Sequence, residues 1–145
     1  MNKIFKIIIS LLLPFMFLTY AFSNENFFSD AVKNYQSEKY DEARFLFERN
    51  IVFNPKDAKS YLYLAKIYNH KADQRKEEYN LETALLLEPD NEEALLMIMK
   101  IALKKSNYSK VKDLLKVFNK VCDKLCNESN EIDESLKNIE PKNES

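Results

Sequence analysis

Three sets of side chains in this chain have the chemistry to act: a cysteine pair, a lone histidine and a run of lysines. Cys122 and Cys126 stand four residues apart near the C-terminus. On an intact α-helix they would be offset by about 6 Å along the axis, at the long end of disulfide geometry. Pairing therefore requires the helix to end near Cys122. Such a pair can be a structural staple, a redox couple or a bridge to another chain. The staple is favoured, because cysteines pair in oxidising compartments and the spacing lacks the Cys–x2–Cys of redox enzymes. His70 sits beside Lys71 in a polar stretch and reads as turn surface. Lys112, Lys116, Lys120 and Lys124 recur every fourth residue, opposite Val111, Leu115, Phe118 and Cys122. That is the solvated face of an amphipathic helix rather than a lipid site.

What is missing narrows the chemistry further. The 145 residues include no glycine, one histidine and two cysteines. Phosphate-cradling loops and dinucleotide fingerprints need backbone without a Cβ, so both are excluded. One histidine and two cysteines make no zinc cluster and no histidine-based triad. No catalytic residue, metal or cofactor is expected, and the chain is read as a non-enzyme. Lysine outnumbers arginine nineteen to three. Removing residues 1–23 takes away Lys3 and Lys6, leaving 20 basic against 23 acidic residues and a net charge of −3. A mildly acidic chain with few arginines argues against a nucleic-acid partner.

The elements that carry these residues show a period of 34. Pro55 and Pro89 are 34 apart, and Tyr40 and Tyr108 are twice that. In residues 58–91, Tyr61, Leu64, Ala65 and Tyr68 share one face of a first helix. Leu81 and Ala84 lie on a second helix before Pro89. Tyr40, Ala43, Phe47 and Pro55 repeat the second half of that layout one unit earlier, with Phe27 and Ala31 ahead of them. Leu95, Ile98, Met99 and Ala102, then Tyr108, Val111, Leu115 and Phe118, build a third and more degenerate unit, with Asp123 where a proline would stand. No run of alternating β-branched residues appears, so the fold class is all-α. Asp90 and Glu93 have capping-box spacing at the start of the third unit.

This spacing resembles the tetratricopeptide repeat: aromatic–x2–Leu–small–x2–Tyr, then Ala–x3–Phe, then Pro. Glu77 and Leu81 depart from it, standing where Ala and Phe are usual. The resemblance covers about residues 24–125 and predicts an α-solenoid of about three helical hairpins, over 24–57, 58–91 and 92–125. It implies a concave groove lined by the first helices. By repeat register that groove comprises Phe28, Val32 and Tyr35, then Leu62, Lys66 and Asn69, then Leu96, Lys100, Leu103 and Lys104. The implied occupant is a peptide or protein, with lysine toward the C-terminal side suiting some acidic character. Chaperone-binding members clamp a carboxylate with Lys and Asn. Here those positions hold Phe28, Val32, Tyr63, Glu93 and Met97, so that clamp is absent. Tyr61 and Tyr68 read as core, and Tyr63 as facing an adjacent hairpin or solvent.

The two ends are different in kind. Residues 1–23 read as a signal peptide: basic Lys3 and Lys6, an apolar stretch over 7–18, and Ala21–Phe22–Ser23 as a small–x–small cleavage site. The expected product is exported to the periplasm of a bacterium, as a scaffold in an envelope assembly. Left uncleaved, the segment would tether a structural or self-associating subunit to the membrane. A thiol-redox accessory using the cysteine pair is a third reading. Residues 127–145 form an acidic tail, in which Ile132, Leu136 and Ile139 predict a capping helix over 129–139 that ends before Pro141.

Overall fold

The structure, a computed structural model, describes residues 26–139. The expected signal peptide and Pro141 lie outside the described residues. Among the described residues seven α-helices run in order: α1 (Phe27–Gln36), α2 (Tyr40–Phe53), α3 (Ala58–His70), α4 (Gln74–Leu87), α5 (Glu92–Lys104), α6 (Tyr108–Val121) and α7 (Asn130–Ile139). A 3₁₀ turn, Cys126–Ser129, precedes α7. Helices α1 and α2, α3 and α4, and α5 and α6 pack as three hairpins, each against the next. No strand occurs among the described residues.

The turns inside the hairpins are copies of one another. Glu38, Ala72 and Ser106, spaced 34 apart, have φ of 59°, 55° and 57°. Around each, the residue after it donates its N–H five residues back: Lys39 to Asn34, Asp73 to Tyr68 and Asn107 to Ala102, all at 2.9 Å. That bond closes a Schellman turn, where glycine is usual because a left-handed residue with a Cβ costs on the order of 1 kcal/mol. With no glycine in the chain, three ordinary residues accept that strain. The following helix then starts at once. Asp73 and Asn107 accept the N–H of Lys76 and Lys110, each at 3.2 Å. Such caps satisfy one of the orphan donors of a first turn. At α5 the cap is Asn91, which accepts the N–H of Ala94 at 3.0 Å, and not Asp90. The helix begins one residue later than capping-box spacing indicates, and Glu93 is free to pair with Lys66 instead.

Three buried clusters run along the array, and each crosses a unit boundary. Ala31, Ala43 and Phe47 of the first hairpin close on Leu64, Ile67 and Tyr68 of α3. Leu62, Ala65, Leu81 and Ala84 close on Ala94, Ile98 and Ile101 of α5. Leu96, Met99, Val111 and Phe118 close on Ile132 and Leu136 of α7. Every hairpin thus completes its core only when the next first helix lies on it, the nearest-neighbour arrangement of solenoids. Helix α7 continues the series. Leu64, Ile98 and Ile132 are successive 34-residue equivalents, as are Tyr68, Ala102 and Leu136, and all six are buried. The tail helix is a fourth first helix serving as a cap.

Candidate functional site

The first helices α1, α3 and α5 carry every residue that the repeat register assigns to the groove. At the N-terminal end the surface is aromatic. Tyr63 stacks on Phe47 with centroids 4.9 Å apart and meets Tyr35 and Phe28 edge-on at 5.1 and 6.0 Å. It therefore faces the adjacent hairpin. Phe28, Val32 and Tyr35 are half-buried around it. Burial pushes the Tyr35 phenol above its usual value, with Tyr40, Glu93 and Tyr63 adding to the effect. Lys66 lies 4.8 Å from the Tyr63 centroid and 2.7 Å from a carboxylate oxygen of Glu93. The ion pair bridges α3 to α5, and the cation–π contact holds Lys66 within α3. His70 ends α3, exposed yet stacked on Tyr40 at 4.6 Å. It is packed turn surface.

Further along, the same face changes. Leu62 and Leu96 are buried, each beneath the first helix that follows it. Asn69 is exposed, but its amide donates to Glu77 Oε1 at 2.8 Å. Glu77, one of the two residues that depart from the repeat pattern, is itself buried on α4, and Asn69 donates to it. Leu103 is half-buried against the third cluster, while Lys100 and Lys104 stand exposed. The face thus runs from half-buried rings at α1 to exposed cations at α5. Sequence reading sets Tyr35 and Lys66 on this face but misses Tyr63, the ring that links them and, through Lys66, reaches Glu93. The only sequence signal of that link is aromatic density at the start of the array.

Helix α6 stops at Val121, and Cys122 is extended with φ −62° and ψ 138°. Cys122 and Cys126 are disulfide-bonded, with Cα atoms 5.2 Å apart. Their loop is anchored from α5: Glu92 Oε2 accepts the N–H of Leu125 at 2.7 Å and of Lys124 at 3.1 Å. Those backbone donors, Leu125 foremost, hold the Glu92 carboxyl below its usual range. Lys112, Lys116 and Lys120 are exposed on α6, as an amphipathic helix requires, whereas Lys124 is exposed in the loop beyond the helix end and does not continue the stripe. No group of three or more His, Cys, Asp or Glu side chains among the described residues is placed to hold a metal. No helix of the described residues is long and apolar enough to cross a membrane.

No family model matches the chain, and no curated protein matches it in sequence. Solved structures do match in fold. The Yersinia enterocolitica type III secretion chaperone SycD, in complex with a peptide of the translocator YopD, has a TM-score of 0.67 at 17% identity, over 79% of this chain and 90% of that one. A further structure of SycD has a TM-score of 0.64 at 17% identity, over 85% and 96%. The Sgt2 tetratricopeptide domain from Aspergillus fumigatus has a TM-score of 0.59 at 15% identity, over 83% and 86%. At these identities the likeness establishes the fold alone. In fold, the chain is a tetratricopeptide-type helical solenoid.

Proposed function

We propose that the chain is a non-catalytic binding module that holds a peptide or protein segment along the face of α1, α3 and α5. The observation that carries this reading is the graded surface of that face: half-buried Phe28, Tyr35 and Tyr63 at one end, exposed Lys100 and Lys104 at the other. Rings give contact area at low entropic cost, and exposed lysines steer and orient an acidic segment. The YopD peptide held by SycD is a precedent for peptide binding in this fold. Work outside the cytoplasm, within an envelope assembly, is part of the proposal. Lys3, Lys6 and the apolar stretch over 7–18 support export, as does the bonded cysteine pair.

The test is capture of partners from the native envelope fraction. Lys100→Glu with Lys104→Glu reverses exposed charge without touching the core, whereas Leu62 is too buried to serve. Loss of a wild-type partner by that variant, with retention by an outer-face variant, supports the reading. Equal capture by the wild type and the inner-face variant would contradict it. N-terminal sequencing of the mature chain tests the export step, with a start near Asn24 expected.

A further inference from the structure

The second helices present a surface that the proposed groove does not use. On α2, Phe45 and Val52 are 59% and 77% exposed; on α4, Tyr79 and Leu86 are 67% and 81% exposed. Each pair is seven residues apart, two helical turns, and so lies on one stripe. Phe45 and Tyr79 are 34 apart, as are Val52 and Leu86, so the stripes hold the same place in consecutive hairpins. In α6 that place is taken by Asp113 and Lys120, both exposed, and the apolar surface stops there. Phe53 turns aside to stack on Phe27 of α1, and the four stripe side chains offer on the order of 500 Å². Monomeric proteins seldom expose contiguous patches beyond a few hundred Å². A stable interface buries about 800 Å² per partner.

Charge at the head of the stripes indicates what covers them. Glu42 stands three residues before Phe45, and Arg75 four before Tyr79; both are exposed. Neither is in an ion pair with another described residue. A two-fold axis running along the helices, between α2 and α4, would set α2 of one copy over α4 of the other in parallel. Phe45 then meets the partner's Tyr79, and Val52 the partner's Leu86. The same operation brings Glu42 opposite the partner's Arg75, twice over. An interface of this kind is self-complementary, as two-fold symmetry demands.

We propose that this outer face pairs two copies of the chain and leaves the inner faces of both open. Sedimentation equilibrium of the mature exported chain across micromolar concentrations tests it, with circular dichroism melts confirming that each variant folds. The wild type is expected to dimerise reversibly. Tyr79→Glu with Leu86→Glu is expected to be monomeric throughout. Glu42→Arg alone and Arg75→Glu alone should each weaken the dimer about tenfold, and the two together should restore it. A monomeric wild type overturns the proposal, including one whose outer face binds lipid vesicles instead. So does a dimer that survives the Tyr79–Leu86 variant, or charge reversals without rescue. Should the Tyr79–Leu86 variant fail to fold, the charge swap decides alone.

Discussion

Two of the hairpins end at a proline and the third at a disulfide, yet all three second helices stop on the same hydrogen bond. Asn54, Glu88 and Cys122 are spaced 34 apart, and each donates its N–H four residues back, at 2.7, 2.8 and 2.8 Å. Beyond that point the junctions diverge. After Pro55 and Pro89 the chain closes a local turn, Asp57 donating to Asn54 and Asn91 to Glu88 at 3.1 and 3.2 Å. A proline ring ends a helix by denying it a donor. At the third junction Asp123 has a donor to give, and the N–H groups after it turn to Glu92 while the disulfide closes the loop. What must be met is the same at each junction: backbone groups leaving a helix need partners. The proline solution is unconditional. The disulfide and carboxylate solution depends on redox state and pH.

The strongest challenge to this comparison is aimed at what the third junction delivers. If it delivers a fourth first helix, Ile132→Ala should cost about 2–4 kcal/mol in chemical denaturation, close to Ile98→Ala. A loose tail would lose less than about 0.5 kcal/mol, as surface substitutions do. Next in size is reduction of Cys122–Cys126. A loop this short is worth about 2 kcal/mol by chain entropy. Hydrogen exchange should show α7 losing protection on reduction while α1–α4 keep theirs; uniform loss along the chain would contradict a local staple.

A smaller effect sharpens the contrast between junctions and hairpin turns, which the chain solves alike three times. Ala72→Gly should raise stability by about 0.5–1 kcal/mol, since relief of left-handed strain outweighs the added unfolded-state freedom. Thermal melts of the single variant suffice, and destabilisation would contradict the strained-turn account. The smallest effect is acid sensitivity. The depressed Glu92 carboxyl contributes stability fully present above the ordinary carboxylate range, and lost as pH falls through that range to its folded value. Opening of residues 122–129 should therefore grow at acid pH in the wild type and be nearly pH-independent in Glu92→Gln, as read by amide exchange.

Much of this was legible in sequence because solenoid packing is local and periodic. Small residues at Ala31, Ala43 and Ala65, and aromatics at Phe47 and Tyr68, stand at spacings only one hairpin geometry satisfies. The helix end required for a Cys122–Cys126 bond could likewise be read from rise per residue. The groove was harder. Register alone sets Leu62 and Leu96 beside Lys66 and Lys100, but the next first helix covers the leucines, and that contact lies more than 30 residues away. Asn69 belongs with Glu77 for a similar reason: a buried carboxylate takes the nearest donor. Glu92 left no trace in sequence, because a carboxylate gripping backbone N–H groups 32 and 33 residues on depends on fold and not on side-chain type. Asn91 displaced Asp90 by a single residue, beyond what cap spacing resolves.

The measurement that bears most directly on the binding account is amide hydrogen exchange of the chain with and without its captured partner. New protection concentrated in α1, α3 and α5, from Phe28 to Lys104, is the expected result. Protection confined to α2, α4 and α6, with the first helices unchanged, would contradict the inner-face reading.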